Sequence, residues 1–128
     1  MLEYHGWLTI LEADTLEDES QALEQRVRDS IDPAVLTGGW IRIGWSNGQL
    51  MLSAAGAANH AEPDLPDVVG MFSRIAAMAE QPYGLLYVWD DEDEGGLENE
   101  FQVYVAARGS LRKQRDRYLS PCQPTIED

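Results

Sequence analysis

The stretch Trp40-Ile41-Arg42-Ile43-Gly44-Trp45-Ser46-Asn47-Gly48-Gln49-Leu50-Met51-Leu52-Ser53-Ala54-Ala55 decides the fold class. Two apolar runs flank Asn47-Gly48. Both of those residues tolerate positive φ, so Asn-Gly in this setting is the strongest short-range hairpin signal. An antiparallel pair is therefore expected over residues 40–55. Trp40 and Trp45 differ in parity along the first strand and so point to opposite faces. At least one of them is expected on a partly open face.

Downstream of the hairpin, residues 56–65 read as a loop. Pro66 suits the first turn of a helix, where its missing N–H costs nothing. Val68, Phe72, Ile75, Ala76 and Ala79 give that helix an apolar stripe, and Gln81-Pro82 stops it. Strands follow at Tyr83–Trp89 and Phe101–Arg108. Upstream, Tyr4–Leu11 reads as a strand with large apolar groups on both faces, which suits a central strand covered on both sides. Asp14-Thr15 then opens a helix, with Thr15 as cap and Asp18 in capping-box spacing. Leu16, Leu23, Val27 and Ile31 form its stripe, and Asp32-Pro33 ends it. The order β-α-β-β-α-β-β predicts an α+β fold, a mostly antiparallel sheet with both helices on one face. If the first helix crosses to a parallel neighbour, the arrangement approaches a split βαβ unit with an added strand. Residues 109–128 read as an irregular but ordered tail in which Ile126 packs against the domain. An edge strand such as 49–55 could pair with a second copy, giving a homodimer.

The chain has 128 residues, which predicts one domain over 1–128. Its only cysteine, Cys122, rules out an internal disulfide. There is no signal-like N-terminal pattern and no apolar run near membrane-spanning length, so a reducing cytoplasmic setting is the default. A net charge of −14 argues against nucleic acid and anionic membranes as partners and favours a basic protein surface. Solubility alone is the bland alternative, but the charge is segregated. Residues 83–101 hold Asp90, Asp91, Glu92, Asp93, Glu94, Glu98 and Glu100 with no Lys or Arg, whereas residues 102–128 hold Arg108, Arg112, Lys113, Arg115 and Arg117 against three acids.

The run Trp89-Asp90-Asp91-Glu92-Asp93-Glu94 is the chemical centre of the sequence. A turn needs only one or two polar residues and a glycine, so this much repelling charge points to an outside partner. Asp90, Glu92, Glu94 and Gly95 echo the start of a calcium loop, but the twelfth position is Phe101, where a bidentate acid is required. No metal site is expected. His5 and His60 have no metal-ligand spacing and read as structural. The carboxylates lie in a solvated turn, unlike a hydrolase acid–base pair. Cys122 has no activating base and is not expected to be required. No nucleophile elbow, phosphate loop or dinucleotide fingerprint occurs. No enzyme, catalytic residue or cofactor is expected.

Several stretches occur together in order: Tyr4-His5-Gly6-Trp7; Asp90-Asp91-Glu92-Asp93; Glu98-Asn99-Glu100-Phe101-Gln102-Val103-Tyr104-Val105; Arg108-Gly109; and the ending Leu119-Ser120-Pro121-Cys122-Gln123-Pro124-Thr125-Ile126-Glu127-Asp128. From residue 4 to 128 this combination resembles the immunity protein 7 family of bacterial polymorphic toxin systems, although residues 56–65 match no part of that pattern. The resemblance implies a small cytoplasmic α+β protein that binds and neutralises a cognate toxin domain, often a nuclease, and is not itself an enzyme. A nuclease presents basic surface to its substrate, and an acidic protein can cover it. The expected toxin contacts are Trp89, Asp90, Asp91, Glu92, Asp93, Glu94, Glu98 and Glu100, with Tyr87 as a neighbouring aromatic. The alternative is an acidic adaptor module with no toxin partner.

Overall fold

The computed structural model describes residues 1–11, 16–31, 39–61, 64–79 and 81–124. Among these residues eight elements follow in order: β1 (Leu2–Leu11), α1 (Glu17–Asp29), β2 (Gly39–Ser46), β3 (Gln49–Ala58), α2 (Asp64–Ala76), β4 (Tyr83–Asp90), β5 (Gln102–Ala107) and β6 (Ser110–Arg115). The strands form one sheet in the order β2-β3-β1-β4-β5-β6. Every neighbouring pair is antiparallel, so the parallel split-βαβ alternative does not hold.

The expected hairpin is present. Asn47 and Gly48 carry φ of 49° and 77°, and Ser46 faces Gln49 across the turn. This two-residue turn of positive φ matches the twist of the flanking strands. The same device recurs at Arg108 and Gly109, with φ of 54° and 78°. It returns the chain into β6, which pairs with β5 from Ala107↔Ser110 to Gln102↔Arg115. The reading of 109–128 as wholly irregular is thus corrected. Leu-Arg-Lys-Gln-Arg is too polar to look like a strand, but an edge strand needs only one inward residue, and here that is Leu111, packed against the core. The edge expectation is also corrected. β3 lies between β2 and β1, and the edges are β2 and β6. The 49–55 run is already paired on both sides and offers no free edge to a second copy.

The core lies on one face of the sheet. Leu2, Tyr4, Leu8 and Ile10 of β1, Leu52 and Ala54 of β3, and Leu86 and Val88 of β4 point to it, and all are buried. Leu23 and Val27 of α1 and Val68, Met71, Phe72, Ile75 and Ala76 of α2 join the same cluster, so both helices cover this one face. Helix α1 begins with Leu16 at the cap position and no side-chain cap bond. Leu16 stays exposed, so the buried stripe starts at Leu23. Thr15, the expected cap, lies outside the described residues, as does Pro33. Helix α2 begins at Asp64, before Pro66. Residues 56–58, expected as loop, extend β3 opposite β1. Among the described residues no helix is long and apolar enough to cross a membrane.

Candidate functional site

The acidic segment joins β4 to β5 and is held by its own backbone. The Asp90 carboxylate accepts the Glu92 N–H at 3.0 Å. The Asp93 carboxylate accepts the Gly95 and Leu97 N–H groups at 2.9 and 3.1 Å. These are local side-chain-to-backbone turns of the kind that short acids favour. The Asp91 N–H donates to the Met1 carbonyl at 3.1 Å, which ties the loop to the start of β1. Trp89 braces the return limb. Its Nε1–H donates to the Glu98 carbonyl at 2.8 Å, and its ring lies against Phe101 at 6.0 Å.

The carboxylates divide by what they touch. Asp91 and Glu92 pair with the terminal amine of Met1, and the His60 Nδ1–H donates to Glu92 at 2.9 Å. The His60 bond, aided by the terminal amine, holds the Glu92 carboxyl below its ordinary value, while the Asp91 carboxylate raises the amine. Glu100 takes a forked bond from Arg115 of β6, with Nε at 3.0 Å. Glu94 and Glu98 are exposed, and their carboxylates have no partner among the described residues. A fixed turn with free carboxylates at its tip can attract and orient a cationic surface. Among the described residues no three His, Cys, Asp or Glu side chains are grouped to hold a metal ion.

Compared with known families, residues 1–128 match the family model described as immunity protein 7 over the whole chain. The chain belongs to the immunity protein 7 family. No curated protein and no solved structure matches it.

For this immunity protein 7 member, the residues expected to meet a partner do not act alike. Asp91, Glu92, Glu94 and Glu98 face solvent at the turn. Asp90 and Asp93 spend their side chains on the turn itself, and Glu100 is engaged by Arg115. Trp89 is only partly exposed and serves as a brace. The exposed tryptophans are instead Trp7, Trp40 and Trp45.

One residue that sequence reasoning passed over organises the whole region. Asp116, just after β6, is 7 % exposed, and its carboxylate accepts the N–H groups of Tyr118 and Leu119 at 3.0 and 2.7 Å and the Ser120 hydroxyl at 3.0 Å. Ser120 in turn accepts the Phe101 N–H, and Asn99 exchanges two bonds with Gln123 while its carbonyl takes the Cys122 N–H. The described part of the tail is therefore stitched to the loop's return limb. Ile126 lies outside the described residues. The signal was an Asp followed two and three residues on by free amides, a turn pattern hidden among five basic residues. Cys122 is half-buried, and burial, with Asp116 nearby, pushes its thiol up, away from nucleophilic chemistry.

Burial pushes the Asp116 carboxyl up, but the bonds from Tyr118, Leu119, Ser120 and Tyr87 outweigh it and leave the group below its ordinary value. A carboxylate depressed on folding adds stability above its unfolded value, and that contribution is lost as pH falls through the folded value. Asp116→Asn is expected to cost about 1–3 kcal/mol near neutrality, because it removes the charge and leaves amide donors poorly paired. Wild type and variant should begin to draw together only below about pH 4 and meet once pH has fallen through the folded Asp116 value, which lies lower. Urea melts across pH check this; a cost that persists unchanged at low pH contradicts it.

Proposed function

We propose that this chain, acting as one domain in the cytoplasm of the producing cell, binds and neutralises a cognate toxin domain, a basic nuclease, and does so by masking its surface. The observation that carries the reading is the hydrogen-bonded carboxylate turn at 90–100, with Glu94 and Glu98 free at its surface, in a member of an immunity family. A nuclease gathers positive charge to hold phosphates. Opposed negative charge accelerates encounter, and a turn already held by Asp90, Asp93 and Trp89 loses little freedom on binding.

Those contacts decide which substitutions test the idea. Asp93 is unsuitable, since its loss unravels the turn. The double variant Glu94→Gln/Glu98→Gln touches no internal partner and should leave the melting curve within about 0.5 kcal/mol of wild type. Its association with the toxin domain encoded beside this gene should slow by roughly three- to tenfold at low salt, and the difference should shrink as salt rises. Binding kinetics at two salt concentrations measure this. Equal association rates at both would move the contact surface away from the turn.

A further inference from the structure

Among the described residues no helix covers the face of the sheet opposite α1 and α2; the segment after β6 borders it, with Asp116 bonded to Tyr87 and Leu119 beside the β1–β3 surface. Following the register across β2, β3, β1 and β4, one row on that face reads Trp40, Ala55, His5, Tyr87. The next reads Arg42, Ser53, Trp7, Leu85. Small side chains on β3 stand between large ones on its neighbours. The result is a groove of about 480 Å³ with Ser53 and Ala55 on its floor and Trp40, Trp7, Tyr87 and Leu119 around it. Trp40 and Trp7 are 48 % and 41 % exposed, and Leu119 is 54 % exposed. Large apolar groups gathered around a concavity are a binding feature, unlike single exposed residues.

Charge says what fits there. Along β4 the open-face residues Tyr83, Leu85, Tyr87 and Trp89 lead straight into the acidic turn, and Glu3 stands opposite Trp89 on the same face. The negative end of the groove is thus the turn itself. The basic side chains Arg42 and Arg112 stand in the row farther from it. Arg42 lies over the Trp40 ring at 5.1 Å. A second copy of this chain would bring −14 against −14, which opposes self-association. A positively charged protein surface is complementary at the turn.

We propose that the open face is the buried centre of the toxin interface and the carboxylate turn is its rim. A basic toxin domain lays an apolar side chain between Trp7 and Trp40 while its cations meet the turn. This rests on the function proposed above and assigns to it the residues that set dissociation. Buried aromatic anchors act mainly on the off-rate and rim charges on the on-rate.

The test uses the full chain and the toxin domain encoded beside its gene. Trp40→Ala should raise the dissociation rate at least tenfold with association nearly unchanged. Ser53→Arg, which fills the groove from the solvent side and leaves the core untouched, should weaken binding at least tenfold and melt like wild type. Glu94→Gln/Glu98→Gln should show the opposite pattern, slower association at an unchanged off-rate. If wild type binds and both face variants dissociate at its rate, the proposal is overturned and the acidic turn stands as the binding site. If wild type does not bind the domain at all, both readings fall. Sedimentation that shows a wild-type dimer abolished by Trp40→Ala would give the groove to a second copy and overturn the proposal.

Discussion

Gly84→Val is expected to leave little folded protein. Gly84 sits in β4 with Leu8 of β1 on one side and Ala106 of β5 on the other. A Cβ there would enter the van der Waals shell of the Trp7 carbonyl oxygen and lie 2.9 Å from Leu8 Cα. Both obstacles are backbone of the neighbouring strand, so neither can swing aside as a side chain would. Relief requires β1 and β4 to separate in the middle of the sheet. Ordinary overpacking costs about 1–3 kcal/mol, and a clash against paired backbone belongs to the rare class above about 4 kcal/mol. Set against the roughly 5–15 kcal/mol that hold a domain together, most of the folded population is lost. Urea denaturation followed by tryptophan fluorescence reads this, and a midpoint equal to that of wild type would show that the strands can yield.

Phe72→Ala should cost about 3–5 kcal/mol, the usual range for an aromatic removed from a core. Phe72 is fully buried, and its ring tip reaches β1, where a Cβ on Gly6 would stand only 2.5 Å from Cζ. Helix α2 thus sits against the sheet at a point where β1 offers no side chain. At roughly 3–6 °C per kcal/mol for a chain of this size, the melting temperature should fall by about 10–30 °C. The contact also makes the two sites dependent. Gly6→Ala alone should destabilise, yet in the Phe72→Ala background it should cost less, because the ring it would strike is gone. A double-mutant cycle with no coupling would show that the ring and β1 do not restrain each other.

Much of this architecture was legible because its signals are local. Asn47-Gly48 announces its own turn, and the stripes Leu23–Val27 and Val68–Phe72–Ile75 announce helix faces. β6 was missed because its residues are charged and its turn, Arg108-Gly109, places at the first position a residue that rarely adopts positive φ. The sheet order was not legible either. The large apolar groups on both faces of β1 suit a central strand, and it is one, but that its neighbours are β3 and β4 shows only in the pairing. At the candidate site, the concentration of carboxylates was plain. Their division into turn-builders such as Asp93, paired groups such as Glu100, and free ones such as Glu94 depends on partners distant in sequence, and spacing cannot reveal those. Trp89 looked like an anchor because it adjoins the acids; the indole N–H to Glu98 makes it a brace.

The antiparallel neighbours of β1 span residues 49–58 and 83–90. β1 is thus flanked on both sides by strands that come later in the chain, and its place between them is complete only when both are present. The β2–β3 and β5–β6 hairpins can zip from their two-residue turns without it. The acidic turn is fastened to the start of this strand through the Met1 carbonyl and the Asp91 amide. The bonds inside the turn form from its own residues, but the tie at Asp91 forms only when β1 lies beside β4. Seating β1 between β3 and β4 therefore also anchors the near end of the acidic turn.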